Sequence, residues 1–288
     1  MCDTCGCNSK GNEVTITRPG HAREPKGHST EPEHSHVHDH HHSHPHHHPH
    51  DHAHTDGEDH VHTDGEDHAH RILVQEDILA ENNLIASRNR GYFEAKGIVT
   101  LNLMSSPGSG KTTLLEQTIR KLENKKAVTV IEGDQQTLTD AERIEQTGVP
   151  VIQVNTGNGC HLDASMVRRA VRELAPPEQS ILFIENVGNL VCPSLFELGE
   201  IGRVVIMSTT EGEDKPLKYP TMFRNSDVCI INKTDLLPHL NFNIEKAKSD
   251  ALNVNPGLTI FEMSAITGEG VDSWVEWILS LKPEYPDQ

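Results

Sequence analysis

Aromatic residues are scarce in this 288-residue chain, where Phe, Trp and Tyr make up 4% of the sequence. No apolar run approaches the roughly twenty residues of a membrane-spanning helix, so the sequence predicts no membrane span. Basic residues are few: 25 Lys and Arg stand against 43 Asp and Glu, and the net charge of −18 argues against a general binder of nucleic acid or anionic membranes. The first residues, MCDTCGCNSK, lack the basic start and apolar stretch of a signal peptide. We therefore expect a cytoplasmic protein with reduced cysteines.

Histidine, by contrast, is abundant and concentrated. Nineteen of the 21 histidines lie in residues 1–70, a stretch with almost no large apolar side chains. Such a stretch cannot bury enough apolar surface to offset the entropy of ordering. We therefore predict a disordered metal-binding region over residues 1–70, His-rich over 34–70 and with a Cys motif at 2–7, followed by a folded domain over residues 71–288.

The His-rich part suggests a store of metal ions. Imidazoles without fixed geometry bind several ions weakly, and this affinity is lost as the pH falls through about 6.5. Many weak sites on a tether raise the local ion concentration near tighter sites. A solvated polar tract with incidental affinity is the alternative. The candidate reservoir comprises His34, His36, His38, His40, His41, His42, His44, His46, His47, His48, His50, His52 and His54.

The remaining 218 residues alternate short apolar runs with helical segments, which favours a mostly parallel α/β sheet flanked by helices. An amphipathic helix is predicted over Arg71–Gly97, packed through Leu73, Ile78, Leu79, Leu84 and Ile85 and closed by Gly97. Ligands of such sheets bind at the carboxyl ends of the strands. The predicted strands are Ile98–Met104, Ala127–Glu132, Val151–Asn155, Ile181–Glu185, Arg203–Ser208, Val228–Asn232 and Thr259–Glu262.

The segment IVTLNLMSSPGSGKTTLLEQTI has the order strand, glycine-rich turn, helix. Small residues let backbone N–H groups close around phosphates, while a lysine neutralises the β- and γ-phosphates and a threonine hydroxyl coordinates Mg²⁺. Ser105 stands where the pattern usually has its first glycine. The predicted phosphate-binding residues are Gly108, Ser109, Gly110, Lys111, Thr112 and Thr113, with Lys111 also catalytic and Thr112 also a Mg²⁺ ligand.

The sequence INKTD at the end of a later strand predicts that the nucleotide is GTP. The Asp235 carboxylate can accept hydrogen bonds from both guanine N1–H and the exocyclic amine, which adenine does not offer. Asn232 would brace the loop, and the stem of Lys233 would lie over the base. Ser264 and Ala265, in MSAITG, would place backbone N–H groups near the guanine oxygen.

Two acidic strand ends are candidates for the catalytic metal and the attacking water. VIEGDQQT offers Asp134, and ILFIENVG offers Glu185. A carboxylate beside the phosphate loop can hold Mg²⁺ or orient water. We place Asp134 on the Mg²⁺ side, and the division of roles between the two residues stays open; either could instead cap a helix or lie in a solvated loop.

Cysteines suggest two tighter metal sites. Cys2, Cys5 and Cys7 can converge on one ion, and thiolates suit Zn²⁺, Ni²⁺ or Cu⁺. In the domain, Cys160 and His161 follow a strand, and Cys192 lies seven residues beyond Glu185. These three ligands suit an open site or one completed by a second subunit, with buried structural cysteines as the alternative. Asp163 is predicted to cap a helix, and Cys229 to act as a small apolar core residue.

Taken together, these motifs resemble the HypB family of hydrogenase-maturation GTPases. The likeness rests on CDTCGC, the His-rich insert, SSPGSGKTTLL, EGDQQT, QVNTGNGCHLDA, FIENVGNLVCP, TEGEDKPLKYP and NKTDLLP. It implies a P-loop NTPase fold of the SIMIBI class, a GTP-dependent homodimer, a tight nickel site at Cys2, Cys5 and Cys7, and a nickel or zinc site at Cys160, His161 and Cys192. The implied partners are a small zinc-containing hydrogenase accessory protein and the hydrogenase large-subunit precursor.

The predicted function is thus a GTP-hydrolysing nickel metallochaperone for [NiFe]-hydrogenase. A nickel or zinc storage protein with a secondary GTPase role, or a nickel GTPase serving urease, are the alternatives. Intact Lys111, Thr112 and Asp235 argue against pure storage, and CDTCGC, the mark of the resembling family, argues against a urease protein.

Overall fold

The computed structural model describes residues 14–19, 64–135 and 138–284. The thirteen histidines from His34 to His54 and the motif Cys2, Cys5 and Cys7 lie outside these residues. The elements in chain order are β1 (Thr15–Thr17), α1 (Asp64–Ala95), β2 (Val99–Ser105), α2 (Lys111–Leu122), β3 (Val128–Asp134), α3 (Thr139–Glu145), β4 (Val151–Asn155), α4 (Ala164–Leu174), β5 (Ile181–Glu185), β6 (Gly202–Ser208), α5 (Lys215–Lys218), α6 (Pro220–Arg224), β7 (Val228–Asn232), α7 (Ile244–Val254), β8 (Thr259–Glu262) and α8 (Val271–Ser280).

The eight strands form one sheet in the order β1-β4-β3-β5-β2-β6-β7-β8. Seven strands are parallel, and β1 alone among the described strands pairs antiparallel, with β4. The seven predicted strands are all present, with bounds that differ by two residues at most. The prediction of a mostly parallel sheet flanked by helices is confirmed.

Both faces of the sheet are covered, which explains why its strands read as continuous apolar runs. Alternate residues along each strand face opposite sides: in β6, Val204 and Ile206 pack with α2, α3 and α8, while Val205 and Met207 pack with α6 and α7. On this second side, α1 and α4 cover β3, β4 and β5. Cys229 of β7 is fully buried, and burial raises its pKa to about 12, as expected for a small core residue.

The predicted disorder over residues 1–70 is wrong for two short parts of that stretch. Thr15–Thr17 forms β1, because the alternating side chains Val14 and Ile16 pack against the apolar cluster around α4. Helix α1 begins at Asp64, inside the second octad of the repeat HTDGEDHV–HTDGEDHA, so the folded part starts earlier than residue 71.

Helix α1 exists as predicted and ends before Gly97, whose φ of 62° reverses the chain. The predicted packing face is wrong for Ile78 and Leu84, whereas Leu79 and Ile85 are half-buried and the side chain of Leu73 lies outside the described ones. Ile78 is 41% exposed and Leu84 is 56% exposed. Among the described side chains of α1, the buried ones are Asn82, Ala86, Asn89 and Phe93. The two asparagines are buried because their side-chain amides hydrogen-bond to neighbouring loops.

Within the described residues, no helix is long and apolar enough to cross a membrane. Helix α4 begins at the predicted cap, because the side chain of Asp163 accepts a hydrogen bond of 2.7 Å from the backbone N–H of Met166.

Candidate nucleotide and metal site

A cavity of about 600 Å³ opens at the carboxyl end of the sheet, around the turn from β2 to α2. Gly108 and Gly110 have φ angles of 76° and 88°, which favour glycine. A Cβ on Gly110 would also lie 2.6 Å from Nδ2 of Asn232. The turn thus has the tight backbone that a phosphate-binding loop requires. All six predicted phosphate-binding residues line the cavity: Gly108, Ser109, Gly110, Lys111, Thr112 and Thr113.

Glu185 lies directly behind this loop and is completely buried at the end of β5. Its Oε1 accepts a hydrogen bond of 2.7 Å from the Thr112 hydroxyl and lies 3.0 Å from Lys111 Nζ. Its Oε2 has no hydrogen-bond partner. A buried ion pair with one carboxylate oxygen unsatisfied is costly, and a ligand that supplied a partner for Oε2 would reduce this cost.

A second buried carboxylate, Glu132 of β3, lies opposite Glu185 in the strand register. Burial raises the pKa of Glu132 to about 9, and the neighbouring Glu185 charge adds to the increase, whereas Lys111 opposes it. Glu132 lines the cavity and its Oε2 has no hydrogen-bond partner. Sequence reasoning missed this residue, because nothing in VIEGD distinguishes a mid-strand glutamate that faces a ligand from one that faces solvent.

Asp134 ends β3 and also lines the cavity. Its Oδ1 accepts a hydrogen bond of 2.7 Å from the Gln135 backbone N–H, and its carbonyl accepts one from Thr156 N–H, which starts the turn leading to Cys160. Asp134 thus lines the cavity, whereas Glu185 contacts the phosphate loop from β5, the strand next to β3.

Asn232 connects three loops next to the phosphate loop. Its Nδ2 donates to the Ser109 carbonyl at 2.9 Å, and its Oδ1 accepts from the backbone N–H groups of Lys233 and Ala265 at 2.8 and 3.0 Å. Asn232 is 1% exposed, so these bonds hold the phosphate loop, the NKTD loop and the SAITG loop in one arrangement. Asn232 was predicted to brace the loop that follows its strand.

Two further residues of NKTD were predicted to contact the base. Lys233 has a left-handed backbone (φ 63°), and its Nζ donates to the Gly108 carbonyl at 2.7 Å, so its stem spans the entrance beside the phosphate loop. Asp235 Oδ1 is buried without a hydrogen-bond partner. Ser264 is fully buried, and its hydroxyl accepts from Thr267 N–H, which shapes the SAITG turn.

Cys160, His161 and Cys192 come together as one cluster, with one ligand atom from each lying within 4.8 Å of the other two. Cys160 Sγ lies 3.6 Å from His161 Nδ1, and the His161 ring stacks on Phe196 at a centroid distance of 3.9 Å. Burial lowers the pKa of His161, which favours the neutral imidazole that metal ions require. Two thiols and an imidazole suit Zn²⁺ or Ni²⁺ and leave a tetrahedral shell one ligand short.

Helix α1 braces the two chain segments that carry these ligands. Asn82 Oδ1 accepts from Ala164 N–H at 2.9 Å, and its Nδ2 donates to the Glu197 carbonyl at 2.8 Å. Asn89 Nδ2 donates to the carbonyls of Ala164 and Leu198, both at 2.9 Å. One segment follows His161 and the other follows Cys192, so the asparagines tie the two ligand-bearing loops together.

Known proteins are similar to this chain in sequence and in fold. The domain described as CobW/HypB/UreG, nucleotide-binding domain, matches residues 99–262. Hydrogenase maturation factor HypB of Rhizobium leguminosarum bv. viciae is 56% identical over 207 residues, which span 72% of this chain and 69% of the relative. The chain belongs to the HypB family. Two solved HypB structures support the same assignment in three dimensions.

HypB of Archaeoglobus fulgidus superposes with a TM-score of 0.66 at 40% identity, over 70% of this chain and 98% of that one. HypB of Helicobacter pylori, solved in complex with nickel, gives a TM-score of 0.66 at 40% identity, over 69% of this chain and 94% of that one. The likeness to the HypB family inferred from the motifs is thus confirmed, and with it a role as a hydrogenase maturation factor with a nucleotide-binding domain.

Proposed function

We propose that this HypB protein is a GTP-hydrolysing nickel metallochaperone that hands nickel to the [NiFe]-hydrogenase large-subunit precursor. One observation carries the proposal. The segment from Glu185 to Cys192 starts at a carboxylate bonded to the phosphate loop and ends at a thiol of the Cys-His cluster. A nucleotide that moves Glu185 can therefore move a metal ligand through seven residues of chain.

GTP fits the cavity better than ATP. The unsatisfied buried Oδ1 of Asp235 supplies an acceptor for guanine N1–H or its amine, while adenine presents an acceptor at the N1 position. Asn232, Lys233, Ser264 and Ala265 form the rest of the base site. A guanine that pairs with Asp235 would relieve the cost of that unpaired oxygen, which gives the site its selectivity.

The phosphates would compete with Glu185 for Lys111. The ammonium of Lys111 lies 3.0 Å from Glu185 in the structure. Phosphate oxygens at the backbone N–H groups of Gly108–Thr113 would draw Lys111 away, and Glu185 would lose its counter-charge. This rearrangement is the first step by which the nucleotide state reaches the segment that ends at Cys192.

Hydrolysis then needs a positioned water and neutralised charge. Thr112 and Asp134 line the cavity, and Glu185 accepts a hydrogen bond from the Thr112 hydroxyl. Hydroxyl and carboxylate oxygens are the hard donors that Mg²⁺ prefers, and Glu185 Oε2 has no hydrogen-bond partner. Bound there, Mg²⁺ would offset the negative charge on the β- and γ-phosphate oxygens. Asp134 and Glu185 orient the attacking water, and Lys111 stabilises the phosphoryl charge.

The metal cargo is held in three places. Cys160, His161 and Cys192 take Ni²⁺ or Zn²⁺, the motif Cys2, Cys5 and Cys7 takes nickel tightly, and the His-rich stretch supplies weak storage. The chain then divides into a metal-binding amino-terminal region and a GTPase domain. We further infer a GTP-dependent homodimer acting in the cytoplasm with a zinc-containing accessory protein.

The test compares nickel affinity in two nucleotide states of the full chain, one with GDP and one with a non-hydrolysable GTP analogue. We expect at least a tenfold difference, which corresponds to about 1.4 kcal/mol of coupling. Lys111→Ala should abolish the difference and GTP hydrolysis together. Lys121→Ala, on the same helix but paired at the surface with Asp272, is the matched control and should preserve both.

Equal nickel affinities in the two states would contradict the coupling. Hydrogenase maturation that survives Lys111→Ala would instead favour a storage protein in which the GTPase is secondary.

A further inference from the structure

Asn186 follows Glu185 directly and is completely buried. Its backbone N–H donates to the Leu103 carbonyl of β2 at 3.0 Å, which holds the residue at the end of the ladder between β5 and β2. The nucleotide cavity is lined by Val187 and Gly188, which come next in the chain, and not by Asn186 itself. Asn186 is thus fixed to the same strand end as Glu185 without contacting the space for the nucleotide.

The side-chain oxygen of Asn186 holds two ligand-bearing segments together. Oδ1 accepts one hydrogen bond from the backbone N–H of Leu162 at 3.1 Å and another from that of Val187 at 3.0 Å. Leu162 comes directly after His161, a ligand of the metal cluster, and Val187 belongs to the segment that ends at Cys192. One oxygen atom therefore joins the turn that bears His161 to the segment that bears Cys192.

The side-chain nitrogen of Asn186 belongs to a buried polar network. Nδ2 donates to Asn102 Oδ1 at 3.2 Å, and Asn102 Nδ2 donates to Glu200 Oε1 at 3.1 Å. Glu200 also pairs with Arg203, whose Nε donates to the same oxygen at 2.8 Å. An ionised carboxylate only accepts, so Asn102 presents its nitrogen to Glu200 and its oxygen to Asn186. Asn186 must then present Nδ2 to Asn102 and Oδ1 to Leu162, which fixes the orientation of its amide.

Glu185 connects this network to the phosphate loop. Lys111 Nζ lies 3.0 Å from its Oε1, and the Thr112 hydroxyl donates to the same oxygen at 2.7 Å. The peptide plane between Glu185 and Asn186 is rigid, so a shift of the strand end that repositions one side chain also repositions the other. A buried N–H group that loses its acceptor is costly. The Leu162 backbone therefore follows a shift of Asn186, because the alternative is to break the hydrogen bond.

We propose that Asn186 is the positioning residue that transmits the nucleotide state from Glu185 to the turn bearing His161. The inference rests on the nucleotide-dependent nickel affinity of the proposed function. The chain segment that ends at Cys192 connects Glu185 to one ligand of the cluster. The side-chain oxygen of Asn186 adds the second connection, to the turn that carries Cys160 and His161. All three ligands then respond together when the nucleotide changes.

The test measures nickel affinity of the full chain with GDP and with a non-hydrolysable GTP analogue, for the parent chain, Asn186→Ala and Asn89→Ala. In the parent chain the two affinities should differ at least tenfold. Asn186→Ala removes the oxygen that joins Leu162 to Val187, so its two affinities should agree within about threefold. Asn89→Ala is the matched control, because it removes two buried hydrogen bonds to the same ligand-bearing segments without touching Glu185. It should weaken nickel binding in both states alike and keep the tenfold difference.

The outcomes separate this inference from the proposed function. If Asn186→Ala keeps the tenfold difference of the parent chain, the role of Asn186 is overturned and the proposed function stands. If the parent chain itself shows no difference, the proposed coupling fails and the inference fails with it. GDP affinity in the same samples shows whether the variant is folded. It should stay within about threefold of the parent value, because Asn186 does not line the nucleotide cavity.

A measurement on the parent chain keeps the inference testable if Asn186→Ala does not fold. Hydrogen exchange of the Leu162 backbone amide reports on its bond to Asn186 Oδ1. We expect its exchange rate to differ at least about tenfold between the two nucleotide states. The Thr259 amide, bonded to the Asp227 carbonyl at 3.0 Å, is the control and should exchange equally in both states. Equal exchange of the Leu162 amide in the two states would overturn the inference.

Discussion

The buried amide of Asn89 gives a quantitative test of how α1 supports the metal site. Asn89 is 4% exposed, and its Nδ2 makes both hydrogen bonds that join α1 to the Ala164 and Leu198 carbonyls. Each buried hydrogen bond contributes about 0.5–1.5 kcal/mol net, and a carbonyl left without its donor adds desolvation cost. We expect Asn89→Ala to lower the free energy of unfolding by about 2–3 kcal/mol.

The assay is urea unfolding followed by tryptophan fluorescence, together with a nickel titration. With a slope of about 2–3 kcal/mol per M, the midpoint should fall by about 1 M urea. In the variant, metal binding would have to bring the two ligand-bearing loops together. If this costs about half of the lost folding free energy, nickel affinity at the Cys160 cluster falls about tenfold. Asn83→Ala, an exposed asparagine on the same helix, should change neither quantity.

Two results would refute the reasoning separately. An unchanged urea midpoint would mean that the Asn89 bonds contribute nothing to stability. A lowered midpoint with unchanged nickel affinity would mean that α1 stabilises the domain without positioning the metal ligands.

Three further substitutions test other parts of the site. Asn232→Ala removes three buried hydrogen bonds that join the nucleotide loops, so GDP affinity measured by calorimetry should fall at least about 100-fold; a smaller loss in Asn232→Asp, which keeps the acceptor, would agree with this account. Gly199→Ala places a Cβ 2.7 Å from the Ala86 carbonyl at a φ of 95° and should destabilise the fold by more than about 2 kcal/mol, whereas Gly257→Ala, with 3.5 Å of space, should not. Glu132→Gln tests the raised pKa of Glu132, which is about 9 in the folded state against an ordinary 4.5. The stability contributed by protonated Glu132 is therefore complete below pH 4.5 and is lost as the pH rises toward 9. The variant should therefore gain stability over the parent chain at pH 8 and lose that advantage near pH 5; an equal difference at both pH values would contradict the shift.

The parallel strands could be predicted because strands that are buried on both faces have continuous apolar runs, such as ILFI and VCII. The nucleotide motifs were equally accessible, since Lys111 and Asp235 sit in short patterns tied to strand ends. Strand β1 escaped notice because three residues carry little pattern, although the alternation of Val14 and Ile16 was a clue.

The packing face of α1 could be predicted only in part from apolar spacing, because this helix hydrogen-bonds to loops and does not pack on a purely apolar surface. Loop carbonyls and N–H groups that are removed from water need partners, and Asn82 and Asn89 supply them. Ile78 and Leu84 are left on the outside as a result. Glu132 was not predicted for a related reason. Its position opposite Glu185 depends on the register between β3 and β5, which no local sequence pattern specifies.

The short strand β1 also matters for how this protein is handled. It occupies the hydrogen-bonding groups along the outer side of β4, whose residues Val151, Ile152 and Val154 are buried and apolar. In a chain shortened to begin at α1, the backbone N–H and C=O groups on the outer side of β4 would be unpaired. An unpaired strand edge is a template for adding strands from other copies. Self-association of such a shortened chain would then persist without nucleotide, so the oligomeric state of the protein has to be measured with residues 14–19 present.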